Sequence, residues 1–299
     1  MLIKKLILKI LEIFLNLKKF IYLQSSKSLS KGFQLFYLPR YSKKLENILI
    51  KNRESLKSIE NLVDNESYFN SQDSYGLPNR ILKHINKPLN NYPTYTDLLC
   101  LCSESLNKNI SYVEIGVSVM KNTYQVANYL NNATIFCFDI NKINPAVENK
   151  LERISSKDNL SHYKLLSNEL FYFKGDVFNP QDLNNFKDLV SSANIIFSDA
   201  HHSYEGVKSE YLNLITEIVK DEYYLFYDDL NKGILKAFKE IASDLHKRDS
   251  TVNAYSFYLN GWIGKNEKMH KVGLITNSLA FEETVAKNNF PLLFKKQYL

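Results

Sequence analysis

The chain has 299 residues, 44% of them apolar, with 20 Tyr and 18 Phe, which is enough for one large packed domain or one domain plus an extension. Its net charge of +6 is uneven: residues 1–60 hold 13 Lys or Arg against 4 Asp or Glu, net +9, which leaves the remainder at −3. That argues against a nucleic-acid groove in the main body, and three cysteines (Cys100, Cys102, Cys137) fit a reducing, cytoplasmic compartment without a disulfide framework.

Residues 1–23 read as a basic amphipathic helix. At ~100° per residue, Lys5, Lys9, Glu12, Asn16 and Lys19 share one face, and Ile3, Leu6, Ile10, Ile13, Leu17 and Ile21 line the other. The charges break any run of the ~20 apolar residues that would span a bilayer, and no small-residue cleavage site follows. Two uses stay open. The helix packs on its own domain or on a second subunit, or it lies on an anionic inner membrane face. Residues 24–31 read as a linker, 42–63 as a helix and 64–94 mostly as loop, so 1–94 form an N-terminal extension and 95–299 the main domain. A helix over 96–107 carries Cys100 and Cys102, which at that spacing share no face and form no metal pair.

From there strands and helices alternate: strand 111–116, helix 121–131, strand 134–139, helix near 145–156, strand 171–175, helix 181–191, strand 194–199, helix 203–220, strand 223–228, helix 232–247. The last two β-runs, around TVNAYSFYLNGWIG and HKVGLITN, have only a short polar loop between them and predict an antiparallel hairpin. The expected fold is α/β: a doubly wound, mostly parallel seven-stranded sheet closed by that hairpin.

Five apolar runs each end in an acid: YVEIG (Glu114), TIFCFD (Asp139), FYFKGD (Asp176), NIIFSD (Asp199) and YYLFYDD (Asp228, Asp229). Strands buried on both faces read as such runs, and ligands of these sheets bind beyond the strands' carboxyl ends. After the first run, Gly116, Val117 and Ser118 form a turn into a helix whose free N–H groups suit a ligand. Asp139 can accept both hydroxyls of a ribose.

VEIGVSVMKNT resembles the first motif of class I S-adenosylmethionine (SAM) methyltransferases, with Met120 and Lys121 where the family has a second glycine. IIFSDAHHSYEGVKSEYLNL (195–214) resembles a segment of one branch of that family, many of whose members serve glycan and natural-product biosynthesis. Asp199, His202, Ser203, Tyr204, Glu205, Gly206 and Val207 match; Ala200 and His201 depart. The antiparallel closing strand is similar as well. The resemblance implies a Rossmann-like methyltransferase fold, with Glu114 near the amino-acid end of SAM and Asp176 at the adenine amino group. Val177 and Phe178 would wall the ring.

Asp199 and Asp228 would end neighbouring strands, ~5 Å apart. Three carboxylates there, Asp199, Asp228 and Asp229, would shift one another's pKa unless a cation sat among them. Mg2+ suits such oxygen-rich sites, with Ca2+ or Mn2+ as substitutes; metal-dependent sugar and catechol O-methyltransferases are similar. The other reading has Asp229 capping the next helix and Asp228 paired with a base, without metal. Asp199 and His202 are the catalytic candidates, His202 as the base that takes the acceptor's proton and His201 as its substitute. His84, His162, His246 and His270 read as surface or packing residues. The expected activity is SAM-dependent methylation of a hydroxyl on a glycan or small natural product. Its rivals are a non-catalytic methyltransferase-like scaffold and an NAD-dependent oxidoreductase.

Overall fold

The structure, a computed structural model, describes residues 41–63, 89–106, 109–219, 221–261, 269–292 and 294–297. The helix expected over 1–23, the linker over 24–31 and most of the 64–94 stretch lie outside them. Ser42–Leu299 make one compact unit; of the other, Met1–Tyr41, only Tyr41 is described.

Among the described residues, ten strands form one sheet. They are β1 (Ser111–Ile115), β2 (Thr134–Asp139), β3 (Glu152–Lys157), β4 (Leu160–Leu165), β5 (Asn168–Lys174), β6 (Ile195–Ser198), β7 (Tyr224–Tyr227), β8 (Asn253–Leu259), β9 (His270–Thr276) and β10 (Lys295–Gln297). Their order across the sheet is β10-β8-β9-β7-β6-β1-β2-β5-β4-β3. β5, β2, β1, β6 and β7 are parallel, and β9 runs antiparallel between β7 and β8. This is the expected Rossmann-like methyltransferase fold, with a parallel core and antiparallel closing strands. β6 and β7 are buried at every position, as strands covered on both faces must be.

Two features depart from the expected layout. A helix near 145–156 is replaced by a single turn, Pro145–Glu148, and the β3–β4 hairpin. Asn144 caps that turn through the Ala146 N–H at 2.8 Å, and Asp158, with φ 53°, turns the hairpin. β3 is exposed at all six positions, so it lacks the apolar run that marks a strand. With β10 at the opposite edge, the seven expected strands become ten. The helix expected over 203–220 is α-helical over Tyr204–Glu210 and Thr216–Ile218, with a π-helical turn between them at Tyr211–Ile215 that buries Tyr211, Leu214 and Ile215.

Register levels the strand ends. Ile115 pairs with Phe138 and with Ser198, and Ser198 pairs with Tyr227. The ladder continues one step further: Gly116 N–H donates to Phe138 O at 2.8 Å, Asp199 N–H to Ile115 O at 2.7 Å and Asp228 N–H to Ser198 O at 3.1 Å. Gly116, Asp139, Asp199 and Asp228 therefore sit along one edge. Because β9 runs the other way, pairing Tyr227 with Gly273, its first residue, His270, reaches the same edge.

Helix α1 (Lys43–Val63) buries Leu45, Ile48, Leu49, Leu56 and Ile59, one stripe at helical spacing. It also buries Arg53, whose Nη2 lies 2.8 Å from Asp97 Oδ2 in α2 (Tyr95–Ser103). The same guanidinium donates to the Asn90 and Tyr92 carbonyls at 2.7 and 2.8 Å. Asp97 completes a capping box with Thr94. At its start, α1 is tied to the far end of the chain: Ser42 N–H donates to Asn288 O at 3.2 Å, and Ser42 Oγ to Asn288 Oδ1 at 2.5 Å. Among the described residues no helix is long and apolar enough to cross a membrane.

Candidate active site

The turn after β1 is shaped by close packing. Gly116 has φ 86°, and a Cβ there would lie 2.4 Å from Ala200 N, Ala200 Cα and Asp199 C. The glycine thus lets the loop after β6 lie directly on the loop after β1. Ser118 (φ 49°) and Met120 (φ 66°) are also left-handed. Met120, where a glycine would be free of strain, is buried at the start of helix α3 (Lys121–Tyr129).

Asp139 binds this turn. Its Oδ2 accepts the Val117 and Ser118 N–H groups at 2.8 Å each, and its Oδ1 accepts the Asn141 N–H at 2.8 Å. A carboxylate has about four acceptor sites, so room remains for one ribose hydroxyl rather than two. Glu114 is fully enclosed, accepting from Thr123 Oγ1 at 2.6 Å and Tyr112 OH at 2.7 Å. Burial raises its pKa to about 7 against those hydrogen bonds. Asp176 closes its own turn through the Phe178 N–H at 2.9 Å. Of the two expected ring walls, Val177 belongs to the core, whereas Phe178 is 48% exposed and stands edge-on to His201 at 4.8 Å. Ile140, 60% exposed just after Asp139, is a second apolar surface on this stretch of edge that residue pattern alone did not single out.

The acids after β6 and β7 meet two histidines. His202 Nε2 lies 2.9 Å from Asp199 Oδ1, and its Nδ1 lies 3.5 Å from Asp229 Oδ2. His270 Nδ1 lies 3.0 Å from Asp228 Oδ2 and 3.3 Å from Asp229 Oδ1. The order is carboxylate, imidazole, carboxylate, imidazole, carboxylate, with Asp229 in the middle. The hydrogen bond to Asp199 lifts the pKa of His202 to about 9, and burial with the nearby Asp228 charge lifts that of Asp199 to about 7. Asn231 holds the His202 carbonyl through its Nδ2 at 3.2 Å and caps helix α4 (Lys232–Arg248) with its side-chain oxygen. Ser203 caps the preceding helix as its type suggests, and Tyr204 OH joins that helix to Glu240 at 2.7 Å.

The expected cation ligands are thus divided. Among the described residues, the donors close enough to share an ion are Asp228, Asp229 and His270, within 4.8 Å of one another; Asp199 faces His202 instead. Asp228 is buried and its Oδ1 has no hydrogen-bond partner, so this group fits a cation. His270, read from sequence as a surface or packing residue, is the member missed. Its only signal was its place at the head of the antiparallel strand.

Below the acids lies Glu210. It is fully buried, accepts from Ser198 Oγ at 2.5 Å, and its Oε1 has no hydrogen-bond partner. Burial raises its pKa to about 8 from an ordinary 4.5. A folded-state pKa above the unfolded one contributes stability that is complete below about 4.5 and lost as pH rises through about 8. Each such group lowers stability by on the order of 1 kcal/mol per pH unit in that window. Glu210→Gln should therefore flatten the decline. Urea midpoints at pH 5.5 and 8.5 check it: the variant gains on wild type at the higher pH, and parallel declines would refute this account of Glu210.

No protein-family model matches the chain, and no curated protein matches it either. Among solved structures it is similar to an O-methyltransferase from Bacillus cereus in complex with SAH, at 11% identity and TM-score 0.44, over 85% of this chain and 99% of that one. The O-methyltransferase TomG from Streptomyces achromogenes, involved in tomaymycin synthesis and solved with SAM, shares 12% identity at TM-score 0.39, over 82% and 94%. Spermidine synthase from Thermotoga maritima shares 12% at TM-score 0.38, over 66% and 65%. Likenesses this distant carry nothing about chemistry; the chain's own sheet order and side chains define what it is, an α/β chain of methyltransferase-like fold.

Proposed function

We propose that the chain is a SAM-dependent O-methyltransferase acting on a hydroxyl of a glycan or small natural product. The observation that carries this reading is the His202–Asp199 pair at 2.9 Å, on the same sheet edge as the Gly116–Asp139 turn. The acceptor class rests on the resemblance of residues 195–214.

SAM supplies an electrophilic methyl group on a sulfonium. Asp139 offers its remaining acceptor site to the ribose. Ile140 and Phe178 offer apolar surface to the adenine, and two solvent-facing apolar side chains at the end of the cradle suit a ring. Glu114 orders the turn through Thr123. His202 takes the acceptor's proton on Nδ1, with Asp199 fixing the ring through Nε2 at 2.9 Å as triads do. In the free protein the imidazole is protonated, since Asp199 holds its pKa near 9; a sulfonium nearby disfavours a second cation. A divalent cation held by Asp228, Asp229 and His270 would polarise the acceptor oxygen.

A non-catalytic scaffold is the second reading, and it draws on the three N–H groups that occupy most of the acceptor capacity of Asp139. Calorimetry with S-adenosylhomocysteine and NAD separates the readings. Micromolar binding of S-adenosylhomocysteine alone is expected. Binding of NAD instead would make the chain an oxidoreductase, and binding of neither would leave the scaffold.

A further inference from the structure

We propose that Asp228, Asp229 and His270 form a mixed carboxylate–imidazole site for a first-row divalent transition metal, with Asp199 outside it as the partner of His202. The use of the metal rests on the methyltransferase reading above; its binding stands on these side chains.

His270 Nδ1 lies 3.0 Å from Asp228 Oδ2 and 3.3 Å from Asp229 Oδ1. Ligands about 2.1 Å from an ion and at right angles to one another stand about 3 Å apart. Both imidazole–carboxylate separations match such an edge. Hydrogen bonding serves the same arrangement poorly: Nδ1 carries at most one proton and faces two carboxylates. An ion satisfies all three groups at once.

The second observation is independent of that spacing. The Asp228 side chain is 3% exposed, and its Oδ1 has no hydrogen-bond partner. A buried carboxylate oxygen without a donor is costly. It belongs to the same carboxylate that faces His270, so an ion bound through both oxygens of Asp228 removes the deficit.

Composition of the set decides the metal class. Mg2+ and Ca2+ take oxygen ligands, and a nitrogen ligand shifts preference toward Mn2+, Fe2+, Co2+ or Zn2+. Two carboxylates balance the 2+ charge. Three protein ligands leave positions open for water or an acceptor oxygen. Asp199 is committed elsewhere, 2.9 Å from His202 Nε2. His202, whose Nδ1 lies 3.5 Å from Asp229 Oδ2, stands beside the ligand set without joining it.

Titrating CoCl2 and MgCl2 into chelator-treated full-length protein, by calorimetry and by the visible spectrum of Co2+, tests this without any methyl transfer. One Co2+ per chain is expected, at least about 10-fold tighter than Mg2+. His270→Gln and Asp229→Asn should each weaken Co2+ by about 100-fold or more, and His270→Gln should erase the preference over Mg2+. Asp199→Asn should stay within about threefold of wild type. Circular dichroism confirms that each variant is folded; Asp229, with a quarter of its side chain exposed, provides the second variant should His270→Gln unfold. The proposal is overturned by wild type that binds no divalent ion, by Mg2+ binding as tightly as Co2+, or by Asp199→Asn losing the ion as Asp229→Asn does. Loss of S-adenosylhomocysteine binding with Co2+ binding intact would strike the methyltransferase reading alone.

Discussion

Gly116→Ala should leave no folded protein. The added methyl would sit 2.4 Å from three backbone atoms of Asp199 and Ala200, at a φ of 86° that L side chains rarely adopt. No rotamer change relieves a clash with backbone, so β1 and β6 must part or the loop after β6 must lift. Either move breaks the bond from the Asp199 N–H to the Ile115 carbonyl. A loss above about 5 kcal/mol belongs to such combined strain and overpacking, which is on the scale of a whole domain's stability. Gly233→Ala is the contrast. Its nearest neighbour would be 3.4 Å away, its φ is ordinary, and it lies in the first turn of α4. There alanine is neutral or stabilises by about 0.5–1 kcal/mol. Soluble yield and urea unfolding of the two variants provide the check; a folded Gly116→Ala protein would mean the two loops do not touch.

His202→Ala should lower kcat by about 100- to 10,000-fold on any hydroxyl acceptor that turns over, with S-adenosylhomocysteine affinity unchanged. What the variant removes is an imidazole bridging Asp199 and Asp229. Asn231 grips the His202 carbonyl, which any residue supplies, so the loop should keep its course. His202→Gln keeps a polar partner for Asp199 but no useful proton acceptor, and should fall nearly as far. A role confined to holding the loop predicts the opposite pattern, with glutamine rescuing rate and alanine weakening cofactor affinity. Activity within about threefold of wild type in both variants would remove His202 from the chemistry.

How far the residues alone lead depends on what each element buries. β6 and β7 are covered on both faces, so their apolar runs and terminal acids are plain to read. β3 is exposed throughout, and ERISSK has no run to betray it. Asp139 could be placed at a strand end, but not its hold on Val117 and Ser118, since that depends on two consecutive N–H groups turned by a left-handed Ser118. His270 was passed over for a topological reason. Histidine before a strand marks the inactive edge of a parallel sheet, and only the reversal of β9 brings it to the acids. Met120 stands out in the sequence where a glycine would suit the turn, and its φ of 66° places a bulky side chain in the left-handed region.

The tie between Ser42 and Asn288 spans 246 residues. A ribosome releases a chain from its N-terminus, at about 5–20 residues per second. Helix α1 therefore emerges long before the residue that anchors its start. Asp97, the partner of the buried Arg53, follows within about fifty residues, whereas Asn288 comes 246 residues after Ser42. Such distant closure is of the kind that slows folding. The same tie gives the finished domain a clasp between the start of α1 and the stretch that follows its last helix, so fraying of α1 from its start must first release Asn288.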